Sequence, residues 1–411
     1  MAINKTELAT AFGTYISSNM REILKKILAT TETAKYMTTK ASQITEYRAA
    51  EASISSVIQG FQANWTPMGD STFTPIVIQN RRHKVNVAIN PDEVVDNWLG
   101  FLADETKLRK DWPITRYIIE ELILPKVLED RELKVIGKGV YAAPVNGTAQ
   151  ETGKSVDGFL TILKTQALDK TSKVSFILTE ALTETNVVDE VEKFVDKIDE
   201  LYQNMNMPIF CSQKVYKMYK RRYRELYPTS KNDDKGNDQV DFSNNKLVAL
   251  PSMAGSMVLF TTPKDNFIRL INRNEGASNI FLQEQDYIVK VFADWWEAPG
   301  FAVAEAVFAT VPEGNAVLQL AADATTINST AAGALRFFKT NTNTVATAIT
   351  GITNAVEKQV IYIVGGGTGA NATTIANSGS FVLNGDWTAT PDSVLKVVKK
   401  ADNKFYELGR Y

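Results

Sequence analysis

Residues 147–155 read Gly-Thr-Ala-Gln-Glu-Thr-Gly-Lys-Ser, one residue away from a phosphate-binding loop. That loop needs four residues between its first glycine and Gly-Lys-Ser, so that successive N–H groups curl round the phosphates. Here there are five, and no apolar strand precedes them. Val156-Asp157-Gly158 starts no helix either, so we read a solvent-exposed loop. A second candidate is the run 213–227, where Lys214, Lys217, Lys220, Arg221, Arg222 and Arg224 interleave with Tyr216, Tyr219 and Tyr223. Such mixing could stack and neutralise single-stranded nucleic acid. Tyrosines three or four apart, however, form one packing face and leave the cations on its solvated back. The glycines at 365–367, with Thr368 and Gly369, are followed by no helix and read as a β turn. The single histidine, His83, reads as a turn residue, and the single cysteine is Cys211. One of each can build neither a Cys/His zinc site nor a Ser/His/Asp triad, and one cysteine forms no internal disulfide. We therefore expect no catalytic residues, no metal and no cofactor.

The elements that carry these residues belong to an ordinary globular chain of 411 residues, 44% hydrophobic and 22% charged. That length predicts two or three domains with ample core. A net charge of −2 gives no global basic field. No run of about 18 apolar residues exists, so no membrane partner is expected, and the N-terminus lacks the apolar centre of a secretory signal.

Asp111 is placed to cap a helix and Pro113 to sit in its first turn. Ile114, Tyr117, Ile118, Leu122 and Leu124 then recur at helical spacing, and Val127, Leu128 and Leu133 continue beyond a kink at Pro125. About 22 residues make a rod of roughly 33 Å. Gly137, Gly139, a polar loop and Gly158-Phe159-Leu160 follow. Further on come a strand at Val174–Leu178, a helix capped by Asn186, a short strand around Ile209, the basic helix opened by Ser212, and Thr262 to Asn266 (TPKDN) between two strands.

This succession resembles the major capsid proteins of tailed bacteriophages, which share the Hong Kong 97 fold. There a long spine helix leads to an x-x-G-x-G turn, a loop and a G-(I/F)-L entry to the next domain, here Gly137, Gly139, Gly158, Phe159 and Leu160. The resemblance implies an α+β chain: an N-terminal helical arm (1–62), an extended-loop β-hairpin (63–91), a peripheral domain carrying the spine helix (92–153 and 285–312) and an axial domain (154–284). In the arm, Leu8, Phe12, Tyr15 and Ile16 form one stripe and Ile23, Leu24, Ile27 and Leu28 another. The hairpin is read as strands Phe73–Gln79 and Lys84–Asn90 about a turn at 80–83. Tyr287 to Val311 reads as two strands turning at Pro299-Gly300.

After Pro312 the composition shifts: residues 312–411 hold only 15 of the 92 charged side chains (45 basic, 47 acidic). Short β-prone runs with Gly/Asn punctuation predict a C-terminal all-β accessory domain (313–411), a sandwich or a short solenoid. The resemblance does not reach it.

The implied function is assembly into pentamers and hexamers of an icosahedral shell round double-stranded DNA, in the virion, built in the host cytoplasm with portal and scaffold proteins as partners. The basic run at 213–227 could then touch packaged DNA or a neighbouring axial domain. Arg81, Arg82 and Lys84 at the hairpin tip are expected to meet Glu129, Asp130 and Glu132 of a neighbouring subunit. The start at Met1 and the lack of an obvious scaffolding segment lead us to expect no cleaved leader. Two alternatives stay open: a cellular nanocompartment shell, encapsulin-like, and a carbohydrate-binding enzyme.

Overall fold

A computed structural model describes residues 31–42, 45–49, 52–54, 61–62, 71–73, 76–103, 112, 114–169, 172–179, 182–227, 239–272, 279–285, 288–311, 317–329, 337–367, 371–391 and 393–411. The chain divides into two compact units, Met1–Thr161 with Lys264–Val303, and Ile162–Pro263 with Ala304–Tyr411. It is a mixed α/β protein.

The first unit is built on one strand, Ile288–Phe301. Arg81–Ile89 pairs with it antiparallel from Val289↔Ile89 to Glu297↔Arg81. Asn279–Gln285 and Phe267–Asn272 also pair with it, and Thr38–Ser42 lies parallel to the latter. Alternation decides the faces. Val85, Val87 and Ile89 point inward with Val291, Ala293 and Trp295, and meet Ile114, Tyr117, Ile118 and Ile119 of the helix above.

That helix runs from 114 to 136, and Asp111 and Pro113, expected at its start, lie outside the described residues. It changes pitch instead of simply kinking. Ile118–Ile123 is a π-type turn, and the Leu124 N–H donates to the Ile119 carbonyl five residues back. Proline lacks a donor and its ring crowds the carbonyl four residues earlier, so a widened turn just ahead of Pro125 accommodates it. Widening rotates the faces. Ile119 is buried, whereas Leu122, expected inside, is 43% exposed.

Three expectations are corrected here. Residues 80–83 form no hairpin turn, because Arg81–Ile89 belongs to the sheet. The hairpin lies earlier: Glu46–Ala49 pairs with Ile76–Gln79, and Ala52–Ile54 with Ser71–Phe73, both antiparallel and in the same register. Next, the described part of the N-terminal arm is a short 3₁₀ turn (Thr33–Tyr36) and strands, while the predicted helical stripes at 8–28 lie outside the described residues. Last, Pro299-Gly300 makes no turn: Pro299 is opposite Arg269 and Gly300 opposite Ile268 in a continuous strand. Glycine is required there by space, since a Cβ would lie 2.7 Å from the side chain of Ile78. Ile78, on the ribbon, is buried with Val156, Ile268, Leu270 and Ala298, so the ribbon's base is held in the unit's core.

In the second unit a five-stranded mixed sheet runs in the order Ser175–Ile177, Phe308–Thr310, Phe260–Thr261, Ile209–Cys211, Leu247–Ala249. Helices Val187–Asp196 and Gln213–Leu226 bury Val187, Val191, Phe194, Val215, Met218 and Tyr219 in its core. Ser212 caps as expected, its Oγ accepting from the Val215 N–H. Asn186 makes no such cap: its Oδ1 accepts from the N–H and hydroxyl of Thr183 at 2.7 and 2.8 Å, closing the preceding turn.

Residues 317–411 of this unit form strands only, among the described residues. Successive strands stack parallel, Leu318 opposite Phe338 and Phe338 opposite Ile363, with Ile327 opposite Ile352 on a second face. This is the coil-on-coil geometry of a short solenoid. The antiparallel strands Val394–Lys399 and Phe405–Arg410 then extend the sheet beyond the third coil. Composition breaks at Pro312, but packing does not. The Phe176 N–H donates to the Tyr362 hydroxyl at 3.3 Å, and the rings of Phe176 and Phe337 meet edge to face at 6.0 Å. A chain stopped at 312 therefore leaves Phe176, 1% exposed in the full chain, open to water. Loss of its burial costs about 1.5–3 kcal/mol, so thermal melting of the truncated chain should fall by several degrees; an unchanged midpoint would show the module contributes nothing to the sheet.

Candidate inter-subunit surfaces and the glycine clasp

Just past the end of the helix 114–136 the two glycine segments read in the sequence meet backbone to backbone. The Gly139 N–H donates to the Val135 carbonyl, the Gly158 N–H to Gly139 at 2.8 Å, and the Leu160 N–H to Gly137 at 3.0 Å. A Cβ on Gly158 would stand 2.4 Å from the carbonyl of Gly137, and one on Gly139 would stand 2.3 Å from that of Val156. Only hydrogen fits at either place. Phe159, fully buried, packs edge-on to Phe267 at 5.4 Å and opens the helix Phe159–Leu168. The motif is thus a clasp that fixes where the chain leaves that helix.

A second centre is a buried ionic cluster drawn from four segments. Arg131, 2% exposed, donates from Nε and Nη2 to both oxygens of Glu297 at 2.7 Å. Arg269 Nε donates to Glu297 Oε1 at 2.6 Å, and Trp295 Nε1 lies 3.3 Å from Oε2. His83 is stacked on Trp295 at 5.5 Å, with its Nε2 3.0 Å from the Glu297 carbonyl. Burial by itself raises the Glu297 pKa, but the two guanidinium groups outweigh it and hold that carboxyl down at about 2. Burial lowers the pKa of His83. His83 is therefore a buried strand residue, contrary to the expected turn. Arg131 was the legible clue, a cation among the apolar positions of the helix.

The six residues expected between subunits all have places within the chain. Arg82 pairs with Asp294 at 2.6 Å. Arg81 donates to Gln79 and lies 3.9 Å over the ring of Tyr141. Lys84 faces outward and is exposed. Glu129 and Asp130 pair with Lys126 at 3.0 and 3.6 Å, and Asp130 also with Lys134 at 2.8 Å. Glu132 is buried and accepts from the N–H and hydroxyl of Thr33. The basic residues of the set and the acidic three lie on separate elements and do not meet one another.

The near phosphate loop folds back on its own start: Val140 N–H donates to Gly153, and Ala142 N–H to Lys154. Its tip, 142–150, is exposed. In the helix Gln213–Leu226 the tyrosines turn inward as expected, Tyr219 buried and Tyr216 and Tyr223 packed against the core. Lys214, Lys217, Arg221 and Arg224 stand on its exposed side. Two exposed aromatics went unnoticed in the sequence. Phe61, between the two strands of the ribbon, is fully exposed, and so is Phe242, on a turn with φ +57°.

No protein-family model matches the chain, and no curated protein matches it. Among solved structures it is similar to the procapsid of satellite phage P4 with its size-determination protein, at 11% identity and TM-score 0.48, over 75% of this chain and 97% of that one. It is also similar to the capsid of the empty GTA particle, at 10% identity and TM-score 0.43, over 69% and 89%. A third is the SrpI encapsulin complex of Synechococcus elongatus, at 10% identity and TM-score 0.39, over 69% and 88%. Among the solved structures that this chain is similar to are thus a phage procapsid, the capsids of a GTA particle and of Myoviridae phage XM1, and an encapsulin complex.

Proposed function

We propose that this chain is a major capsid protein of the tailed-phage kind, whose subunits form pentamers and hexamers of an icosahedral shell round double-stranded DNA. The observation that carries the reading is the clasp. The five residues on which the resemblance rests, Gly137, Gly139, Gly158, Phe159 and Leu160, perform one mechanical task at the foot of a long helix. Residues 45–79 supply the extended loop, residues 162–263 with 304–310 the axial domain, and the strands after 317 the accessory module. Its place is the virion, and portal, scaffold and DNA are its partners. A two-stranded ribbon is marginal in water by itself. Its base is buried at Ile78, while Phe61 stands fully exposed, so its distal half is suited to lie on a neighbouring subunit.

Electron microscopy of the purified protein tests this directly. Closed shells with five- and six-fold clusters are expected, and a chain that stays monomeric at every salt and concentration tried would defeat the reading. DNA-filled particles from infected cells separate a phage capsid from a nanocompartment. Replacing residues 55–70 by a short Gly-Ser turn should leave the melting temperature within a few degrees of wild type and abolish closed shells. Normal shells from that variant would remove the ribbon from the contact.

A further inference from the structure

The helix Gln213–Leu226 carries six cations and one carboxylate, Glu225, on a chain whose net charge is −2. Arg222 sits beside that carboxylate at 3.3 Å. Lys214, Lys217 and Arg221 follow at intervals of three and four and are exposed. At about 100° per residue they project within about 60° of one another over roughly 10 Å of helix. The same helix turns its tyrosines into the core. Tyr219 is 3% exposed, and Tyr223 donates its hydroxyl to Asp241 at 2.7 Å. We infer that this face binds the phosphate backbone of double-stranded DNA, without reading sequence, through Lys214, Lys217 and Arg221.

The chemistry selects the partner. Single strands are gripped by aromatic platforms on which bases stack, whereas the tyrosines of this helix turn away from the three cations and pack in or against the core. An acidic protein would bury an apolar centre within a polar rim, whereas the stripe consists of cations alone. What remains is a row of positive charge suited to a regular polyanion, where counterion release supplies the affinity. Each face is weak alone, and copies repeated over a curved surface would act together. The inference rests on the shell reading only for the source of the DNA.

Anisotropy of a labelled duplex of about 20 base pairs, titrated with the full-length protein, measures the contact. Three phosphate contacts predict a slope of log affinity against log salt of about −2.7, hence a loss of roughly 40-fold between about 50 and 200 mM. AT-rich and GC-rich duplexes should bind alike. The variant Lys214→Gln, Lys217→Gln, Arg221→Gln should keep wild-type helix content by circular dichroism and lose both the binding and its salt slope. The inference is overturned if wild type does not bind at about 50 mM salt, if the variant binds with an unchanged slope, or if polyglutamate of equal charge binds more tightly than the duplex. Shells that form but bind no duplex would overturn this face alone. Binding by a chain that forms no shells would keep the face and overturn the shell.

Discussion

Gly158→Ala should abolish soluble, folded protein or lower its stability by roughly 3–5 kcal/mol, the sum of an overpacking strain and about two broken backbone hydrogen bonds. The added methyl would sit 2.4 Å from the carbonyl of Gly137 and 2.8 Å from the nitrogen of Gly139. Both neighbours are backbone, so no rotamer change relieves the clash. Moving either segment breaks the bonds from Gly158 to Gly139 and from Leu160 to Gly137. Gly147→Ala is the control. Its φ of +82° makes alanine strained, but nothing lies within 4 Å of the new methyl, so a cost of about 1 kcal/mol is expected. Urea denaturation of both variants compares them. Equal midpoints would mean that the clasp yields without cost and plays no part in fixing the fold.

Removing one member of the buried ionic cluster should be nearly as damaging. Arg131→Met leaves Glu297 and Arg269 to each other in a buried site, and breaking such a set costs about 3–5 kcal/mol. The same cluster makes stability depend on acid. Glu297 has a folded pKa of about 2 against an ordinary value of 4.5. Its contribution is therefore complete above pH 4.5 and is lost as the pH falls towards 2, a loss of roughly 3 kcal/mol. His83 acts earlier. Its folded pKa lies below 6.5, so beneath that pH the unfolded chain binds a proton that the folded one refuses, and stability falls as the pH drops. Softening should begin near pH 6.5 and steepen below pH 4.5. Denaturation midpoints from pH 7.5 to pH 3 would show both stages, and His83→Gln should remove the first. If that variant retains the full difference between pH 7.5 and 5.5, His83 is not its source.

Local pattern revealed elements more readily than partners. The alternation of Val85, Val87 and Ile89 located a strand correctly, because period two depends on one face being buried. It did not tell that the partner was Ile288–Phe301, some 200 residues away, rather than the segment just before it. Register is set by turn and surroundings, which alternation alone does not report, so the nearest apolar run offers itself as the partner. Residue preference alone makes Pro299-Gly300 a turn, whereas the demand for glycine comes from Ile78, far off in sequence. A fixed helical period likewise missed Ile119, since a π turn changes that period where proline imposes it. The clasp glycines were legible because they recur as a spaced motif. The ionic cluster was not: Arg131 stands out as a cation at an apolar position, but Arg269 and Glu297 lie on segments that only folding brings to it. One overlooked signal lay in plain sight: Ala-Thr-x-Ile occurs at 324–327, 346–349 and 372–375, and each isoleucine is in the solenoid core.

The clasp also determines where foreign sequence could be carried. Gly139 and Gly158 are held together by their own hydrogen bond, so the loop between them has its ends fixed whatever its length. Doubling such a loop adds only about 0.6 kcal/mol of closure entropy. Its tip is exposed, Val145 to 69%, and exposed tips of polar residues accept insertions. A chain that cannot admit one methyl group at Gly158 could thus display an entire epitope at Asn146.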